Sequence, residues 1–279
     1  MGQVFAATDI GSNTIHVLIA EVENGKLVRI ENKSEWLALG EIVAKTGKIP
    51  DEKVVQLIQL LRNYQSSSTA FQASNFYVFA TEAMRVATNS NQVLNRIKTE
   101  LGVKVDLISP RREAEFSFGG VSIDTKPPLG LLLEVGGGSA QIAICEKGSI
   151  ASEYSLPIGT GKLQAEVQRL QSTGLDGTTL LQDIVNEHLS SVPKHTIEGN
   201  AVASGGIARG LWRALHPDGE QIIFLPEIEY IQWTCSRLNR DQICKRFGVK
   251  SKTSSSHASR SGRVPPNIET FWHRRNFRQ

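Results

Sequence analysis

Apolar and polar residues alternate in three successive runs at the beginning of the chain. With their period of two, the runs at Val4 to Ile10, Thr14 to Val22 and Leu27 to Leu39 predict three β-strands. The dipeptide Asn24-Gly25, between the second and third runs, is typical of a hairpin turn. This part of the chain therefore predicts an antiparallel meander.

A second meander is predicted in the middle of the chain, at Leu129 to Val135, Ala140 to Glu146 and Ile150 to Leu156. Two shorter strands are predicted at Phe76 to Ala80 and at Val103 to Ile108. Apolar residues with helical period predict helices from residue 51 onward and at 91–101, 112–121, 161–170, 177–189, 227–238 and 240–247. Helices and strands in both halves indicate an α/β protein.

Two turns behind apolar strands combine a carboxylate, glycines and a hydroxyl. The first runs from Asp9 to Thr14, and the second runs from Glu134 to Ser139. Glycines let backbone amides approach an anion closely, and a carboxylate beside them can hold a metal ion. A third turn, Ser204-Gly205-Gly206, joins a strand to a helix whose N-terminus favours an anion. The pattern predicts a phosphate site between two similar halves.

Five segments occur in the order and spacing of one protein family: Asp9 to Thr14, Ala80 to Asn89, Ile108 to Ala114, Gly136 to Ser139 and Ser155 to Gly159. On these segments the chain resembles the exopolyphosphatase / guanosine pentaphosphate phosphohydrolase (Ppx/GppA) family. The resemblance implies the α/β fold of the actin-like phosphotransferase superfamily. In that fold, two actin-like (ribonuclease H-like) domains, each a mixed sheet flanked by helices, enclose an interdomain cleft.

The resemblance covers residues 4–249 and implies two domains. Because the paired prolines Pro127-Pro128 interrupt helix and ladder, we expect an N-terminal actin-like domain over residues 1–124 and a C-terminal one over 125–249. Residues 250–279 lack apolar periodicity, so we expect a basic polar tail that is disordered or irregular. Family members continue here with further elements, and the second domain is therefore expected to be incomplete. A truncated or frame-shifted end is favoured over a tail that binds an acidic partner.

The resemblance also implies the residues of the site, because in the family the glycine turns grip phosphate oxygens and position magnesium. The implied phosphate-binding residues are Gly11, Ser12, Asn13, Thr14, Arg85, Gly136, Gly137, Gly138, Ser139, Lys162, Ser204, Gly205 and Gly206. The implied metal ligands are Asp9, Glu134 and Gln141, with Mg²⁺ or Mn²⁺ as the cofactor.

Arg85 and Glu113 are the candidates for the chemistry itself. A guanidinium can bond two oxygens of one phosphate, so Arg85 is the expected clamp rather than an ordinary surface arginine. Glu113 falls at the family position of the catalytic glutamate, where it would activate water as a general base. The alternative is a solvated glutamate in the charge run Arg111 to Glu115, where the adjacent Arg112 is expected to weaken it as a base.

Glu134 and Gln141 depart from the family pattern, which has aspartate and glutamate at these positions. The extra methylene of Glu134 is expected to shift a metal ligand by about 1 Å. Gln141 lacks the charge, so it neither neutralises a divalent ion nor accepts a proton. We therefore expect metal affinity and turnover to be reduced.

Charge and composition exclude several classes of function. The net charge of +3 includes +6 from residues 250–279, which leaves −3 for residues 1–249 and gives no support for nucleic-acid binding. No segment approaches the roughly 20 apolar residues of a membrane helix, and no secretory signal is recognised, so a cytoplasmic location is expected. Cys145, Cys235 and Cys244 lack metal-site or disulfide spacing and are expected to be reduced, packed thiols.

Three functions from different classes remain. The favoured one is a phosphohydrolase that removes the end phosphate from inorganic polyphosphate or guanosine pentaphosphate. The second is a catalytically weakened sensor that binds polyphosphate or guanosine penta- or tetraphosphate. The third is an actin-like ATP-dependent kinase, which would require a pocket for the nucleotide base. The resemblance also allows a homodimer.

Overall fold

A computed structural model of the chain describes residues 2–124, 128–170 and 174–249. The chain divides into two compact units, Met1–Phe116 and Ser117–Gln279, and the division falls inside one helix. The proline-rich boundary predicted at residues 124–128 and the predicted tail at 250–279 lie partly or wholly outside the described residues. The domain limits expected from the sequence stay predictions.

The first unit is built around a mixed sheet. Its elements are β1 (Gln3–Ile10), β2 (Thr14–Glu23), β3 (Lys26–Trp36), α1 (Leu39–Thr46), α2 (Asp51–Ala70), β4 (Phe76–Ala80), α3 (Glu82–Val86), α4 (Ser90–Leu101), β5 (Val105–Leu107) and the start of α5 (Pro110–Asp124). The five strands have the order β3-β2-β1-β4-β5. β1, β2 and β3 are antiparallel, whereas β4 runs parallel to both β1 and β5.

One apolar cluster forms the core of the first unit. On β2, Ile15, Val17 and Ile19 are fully buried, as expected for a strand whose alternate side chains face the same side. On α2, Leu57 and Leu61 are also fully buried, four residues apart on one face of the helix. The two periodicities in the sequence thus bring a strand face and a helix face together.

The third strand is shorter than predicted, and a helix was missed. The sequence predicted a strand from Leu27 to Leu39, but β3 ends at Trp36 and α1 begins at Leu39. Ala38 has a positive φ of 56°, which turns the chain out of the sheet. Leu37 and Leu39 are nevertheless fully buried, so their apolar character reflects core packing at the bend rather than strand pairing.

The second unit repeats this architecture on a smaller scale. After the rest of α5 it contains β6 (Leu129–Val135), β7 (Ala140–Glu146), β8 (Ser149–Leu156), α6 (Thr160–Arg169), α7 (Gly174–Leu189), β9 (Asn200–Ser204), α8 (Gly205–Leu215), α9 (Leu225–Arg237) and α10 (Arg240–Phe247). The order β8-β7-β6-β9 combines an antiparallel meander with one strand parallel to β6. The predicted α/β class, with a mixed sheet in each half, is confirmed.

The sheet of the second unit is covered on both faces. Leu132, Ala143 and Cys145 form one buried cluster, against which Phe118 and Val121 of α5 pack. A separate cluster on the other side includes side chains of α6 and α7. Within the described ranges, no helix is both long enough and apolar enough to cross a membrane.

Candidate active site

The two predicted phosphate turns have the same hydrogen-bonded form. Between β1 and β2, the amide of Gly11 donates to the carbonyl of Thr14 at 3.0 Å. Between β6 and β7, the amide of Gly136 donates to the carbonyl of Ser139 at 2.9 Å. Each turn therefore closes its hairpin through a glycine at the first position and a hydroxyl residue at the fourth. The two turns, which were expected to be similar from their sequences, therefore share the same backbone hydrogen bond.

The carbonyl side of the first turn is covered by the chain that follows β3. The carbonyl of Asn13 accepts from the amides of Leu37 and Ala38, at 2.8 and 3.0 Å. The carbonyl of Ser12 accepts from the amide of Gly40 at 2.7 Å. These bonds explain why the chain bends at Ala38. The amides of Leu37, Ala38 and Gly40 donate to the turn and therefore do not continue the sheet.

The carbonyl side of the second turn is covered by the beginning of α6. The carbonyls of Gly136, Gly137 and Gly138 accept from the amides of residues 159–162, at 2.8 to 3.4 Å. A Cβ at Gly159 would lie 2.4 Å from the carbonyl carbon of Gly138, so only glycine permits this approach. In the described part of the chain, the amides of Gly137 and Gly138 have no backbone acceptor. The turn is held through its carbonyls, which makes these two amides the candidates for binding an anion.

Arg85 and Glu113, predicted as phosphate clamp and general base, bind each other. Both terminal nitrogens of Arg85 donate to Oε2 of Glu113 at 3.1 Å. Arg85 also donates to the carbonyl of Ile108 at 2.8 Å. The two side chains are 17% and 22% exposed, so the ion pair is only partly screened by solvent. Both side chains are therefore held in fixed positions beside the start of α5.

The two arginines of the charge run at α5 pair with Glu115. Arg112 pairs with Glu115 at 3.1 Å, and its guanidinium lies 4.6 Å from the ring centre of Phe116. Arg111 also reaches Glu115, at 3.4 Å. Glu113 itself forms an ion pair with Arg85, which comes from another helix. The expected effect of Arg112 on Glu113 stays a prediction.

Glu82 was missed by the sequence analysis although it lies beside the first turn. It is 8% exposed, and the hydroxyl of Ser12 donates to its Oε2 at 3.4 Å. Its position between Thr81 and Arg85, in a segment already recognised as a motif, was the available signal. Asn89, in the same segment, has a structural task, because its side chain forms hydrogen bonds with both the amide and the carbonyl of Ile49.

In the second unit, four polar residues form one row across the sheet. Ser204 of β9 pairs with Glu134 of β6, Glu134 pairs with Gln141 of β7, and Gln141 pairs with Ser155 of β8. The hydroxyls of Ser204 and of Ser117, on α5, both donate to Oε2 of Glu134, at 3.0 and 2.5 Å. The role of Ser117 was missed, since a single serine on a helix carries no sequence signal.

Gln141 is the most buried of the four residues in this row. It is 6% exposed, and its amide nitrogen donates to the hydroxyl of Ser155 at 3.1 Å. Its amide oxygen, Oε1, is buried without a hydrogen-bond donor among the described residues. Such an orphaned oxygen needs a donor or a cation to offset its desolvation.

The predicted metal ligands are divided between the two units. Asp9 lies at the end of β1, whereas Glu134 and Gln141 are neighbours in the second sheet. Carboxylate and amide oxygens are the donor types that Mg²⁺ and Mn²⁺ prefer, so Glu134 and the orphaned oxygen of Gln141 fit such an ion. No group of three or more His, Cys, Asp or Glu residues that could hold a metal occurs in the described ranges.

The other predicted phosphate-binding residues lie at the beginnings of helices. Lys162 is in the first turn of α6, and its amide approaches the carbonyl of Gly137. Gly205 begins α8 with a φ of +86°, and a Cβ on Gly206 would meet no atom within 4 Å. The hydroxyl of Ser204 is directed to Glu134 rather than to the amides of α8. The binding roles of all these residues stay predictions.

Two mixed sheets, each with a glycine turn beside a carboxylate, define an α/β protein with a candidate phosphate site on each sheet. The model of the Ppx/GppA phosphatase family matches residues 18–218, and the chain belongs to that family. The family recognised from the five sequence segments is therefore confirmed.

Known proteins and structures agree with this assignment. The chain is 27% identical to Exopolyphosphatase 1 of Mycobacterium leprae over 214 residues, which are 74% of this chain and 62% of that protein. It thus spans less than two thirds of the length of this curated relative. The crystal structure of the Aquifex aeolicus Ppx/GppA family member has a TM-score of 0.75 at 24% identity, covering 88% of this chain and 83% of that one. An exopolyphosphatase from Cytophaga hutchinsonii has a TM-score of 0.73 at 20% identity, covering 88% and 84%. The structures establish a shared fold.

Proposed function

We propose that the chain is a phosphohydrolase that removes the terminal phosphate from inorganic polyphosphate or guanosine pentaphosphate. The observation that carries the proposal is the turn at Gly136 to Ser139. Its carbonyls are bound by α6, and the amides of Gly137 and Gly138 have no backbone acceptor in the described ranges. Backbone amides with this freedom suit phosphoryl oxygens. Family membership and the name of the mycobacterial relative support the same substrate class.

Arg85 and Glu113 would perform the chemistry as a pair. In the hydrolytic step, a water oxygen forms a bond to the terminal phosphorus while the bond to the bridging oxygen breaks, releasing orthophosphate. Glu113 takes the proton from that water, and Arg85 exchanges one of its carboxylate contacts for a phosphoryl oxygen. The existing contact at 3.1 Å supports this assignment, because it holds both side chains beside one another before substrate arrives.

Glu134 and Gln141 would hold the divalent cation on the second unit. The role of Asp9 as a ligand stays a prediction. When bound, Mg²⁺ or Mn²⁺ supplies positive charge that offsets the charge on the phosphoryl oxygens. The turn amides of Gly137 and Gly138 would donate hydrogen bonds to the phosphoryl oxygens of the substrate. The backbone of the turn needs no rearrangement for these bonds.

A sensor that binds the same ligands without turnover is the second candidate. Gln141 favours it, since an amide at this buried position contributes no negative charge toward a divalent ion. On this hypothesis the glycine turns keep their affinity for phosphate while hydrolysis is slow. A cytoplasmic location, a homodimer and the absence of nucleic-acid partners also stay predictions.

Purified protein incubated separately with long-chain polyphosphate, guanosine pentaphosphate and ATP, each with Mg²⁺, distinguishes the candidates. Orthophosphate release from the first two, lost in Glu113→Gln, is the expected result. Tight binding of either without release would replace the hydrolase with the sensor. Turnover of ATP alone would overturn both and favour the kinase.

A further inference from the structure

We infer that Ser117 and Ser204 are positioning residues that fix the carboxylate of Glu134 for binding a divalent cation. The inference deepens the proposed function and rests on its assignment of Glu134 as a ligand. Neither hydroxyl is assigned to contact the cation. Their effect is to orient a carboxylate that does.

Both hydroxyls bind the same carboxylate oxygen from different elements. Ser117, on α5, donates to Oε2 of Glu134, and Ser204, at the end of β9, donates to it at 3.0 Å. An ionised carboxylate only accepts hydrogen bonds, so each serine must use its single hydroxyl proton in this contact. Two donors on one oxygen restrict the torsions of a side chain that has one methylene more than aspartate.

The other carboxylate oxygen of Glu134, Oε1, lies beside Gly205 and not at the two serine hydroxyls. Gly205 has a φ of +86°, and a Cβ there would lie 3.3 Å from Oε1 of Glu134. This distance is tight for a carbon atom, so the glycine keeps space beside that oxygen. On the neighbouring strand, the orphaned Oε1 of Gln141 belongs to the residue paired with Glu134. Two oxygens suited to a hard cation therefore come from paired positions.

The serines also offset the cost of a longer ligand. A glutamate loses more side-chain entropy than an aspartate when a cation fixes it, because it has one more rotatable bond. In this chain the hydrogen bonds to Ser117 and Ser204 restrict the side chain in the protein alone. Less ordering then remains to be done on binding, which raises affinity. Hydrogen-bond partners that orient metal ligands typically change metal affinity by about 10- to 100-fold.

Binding of Mn²⁺ to the purified chain, without substrate, tests the inference directly by electron paramagnetic resonance of the free ion. We expect Ser117→Ala and Ser204→Ala each to weaken binding by about tenfold, and Glu134→Gln to weaken it at least as much. Ser117→Thr, which keeps the hydroxyl, should bind like the native chain. Ser122→Ala is the matched control, because Ser122 is an exposed serine on the same helix.

Unchanged Mn²⁺ affinity in Ser117→Ala and Ser204→Ala would overturn the inference, as would a native chain that shows no site-specific binding or a Glu134→Gln variant that binds Mn²⁺ like the native chain. Thermal unfolding of each variant separates lost binding from lost folding, and Ser117→Thr keeps the test valid if an alanine variant unfolds. Orthophosphate release is measured in parallel. If the Mn²⁺ shifts occur without release from any substrate, the proposed hydrolase fails while the positioning role stands. If release occurs without the shifts, the positioning role fails alone.

Discussion

The guanidinium of Arg85 donates through both terminal nitrogens to a single oxygen of Glu113. The two residues are 28 positions apart in the chain and come from different helices. A pair of this kind is held before substrate binds, and each partner limits the conformations of the other. Substitution of either residue should therefore affect the position of the second.

Glu113→Gln keeps the shape of the side chain but removes its charge and its ability to take a proton. We expect orthophosphate release from polyphosphate to fall by roughly 100-fold or more, within the range of general-base catalysis. Polyphosphate affinity, measured by calorimetry, should be retained because the glycine turns are unchanged. Release at the native rate would remove Glu113 from the role of base.

Arg85→Lys keeps the charge but loses the planar fork that now spans Glu113 and the carbonyl of Ile108. We expect kcat/KM for phosphate release to fall by about 10- to 100-fold, corresponding to the loss of a hydrogen bond to a charged group. Arg111→Lys is the matched control, since Arg111 is 56% exposed and pairs with Glu115. Equal effects of the two substitutions would contradict the clamp.

Gln141→Glu restores a charge at the buried position opposite Glu134. We expect tighter Mg²⁺ binding and faster turnover, because a second carboxylate helps to neutralise the ion. The Mg²⁺ concentration that gives half-maximal release is the measurement. Gln182→Glu, on an exposed position of α7, controls for net charge. Without any change in Mg²⁺ dependence, Gln141 lies outside the metal site.

Gly159→Ala should damage the second glycine turn by steric overlap. The new Cβ would lie 2.4 Å from the backbone nitrogen of Ser139, so the turn or α6 must move. We expect a loss of about 1–3 kcal/mol in the free energy of unfolding, measured in urea. Gly120→Ala is the control, because a Cβ at this helical position meets no atom within 4 Å. A native midpoint in Gly159→Ala would contradict the close approach.

Stability at alkaline pH should depend on Cys235. Burial raises the pKa of this thiol from 9.0 to about 11. Below pH 9 the thiol is protonated in both states, but between pH 9 and 11 the unfolded chain releases the proton that the folded chain keeps. The free energy of unfolding should therefore fall through this range, and less steeply in Cys235→Ala. Identical pH profiles for the two proteins would exclude a contribution from this thiol.

Elements with regular patterns were predictable from the sequence, and these include short ones such as β4 and α10. The alternation in β2 and the helical spacing of Leu57 and Leu61 each fill a core face, so pattern and structure agree. The eight-residue α1 was missed, and the predicted strand ran on to its first residue, Leu39. The beginning of α1 is set by hydrogen bonds to Ser12 and Asn13 rather than by its own pattern.

The glycine turns of the candidate site could be predicted from the sequence, whereas the contacts between its side chains could not. Both glycine turns were recognised, since glycine next to a carboxylate and a hydroxyl is a local signal. The bonds from Arg85 to Glu113 and from Ser117 to Glu134 join distant segments, so only the packed chain brings them together. The same is true of Ser155, which pairs with Gln141 through strand register.

The carbonyl contacts of Gly136, Gly137 and Gly138 with residues 159–162 have a consequence for how the protein is made. A nascent chain that has emerged only as far as β7 contains every glycine of this turn but none of the donors that shape it. Those donors arrive after β8 and the first turn of α6 have been synthesised. The turn can therefore reach its final shape only after residues 159–162 are available, and a ribosome-bound intermediate ending before Gly159 should lack that shape.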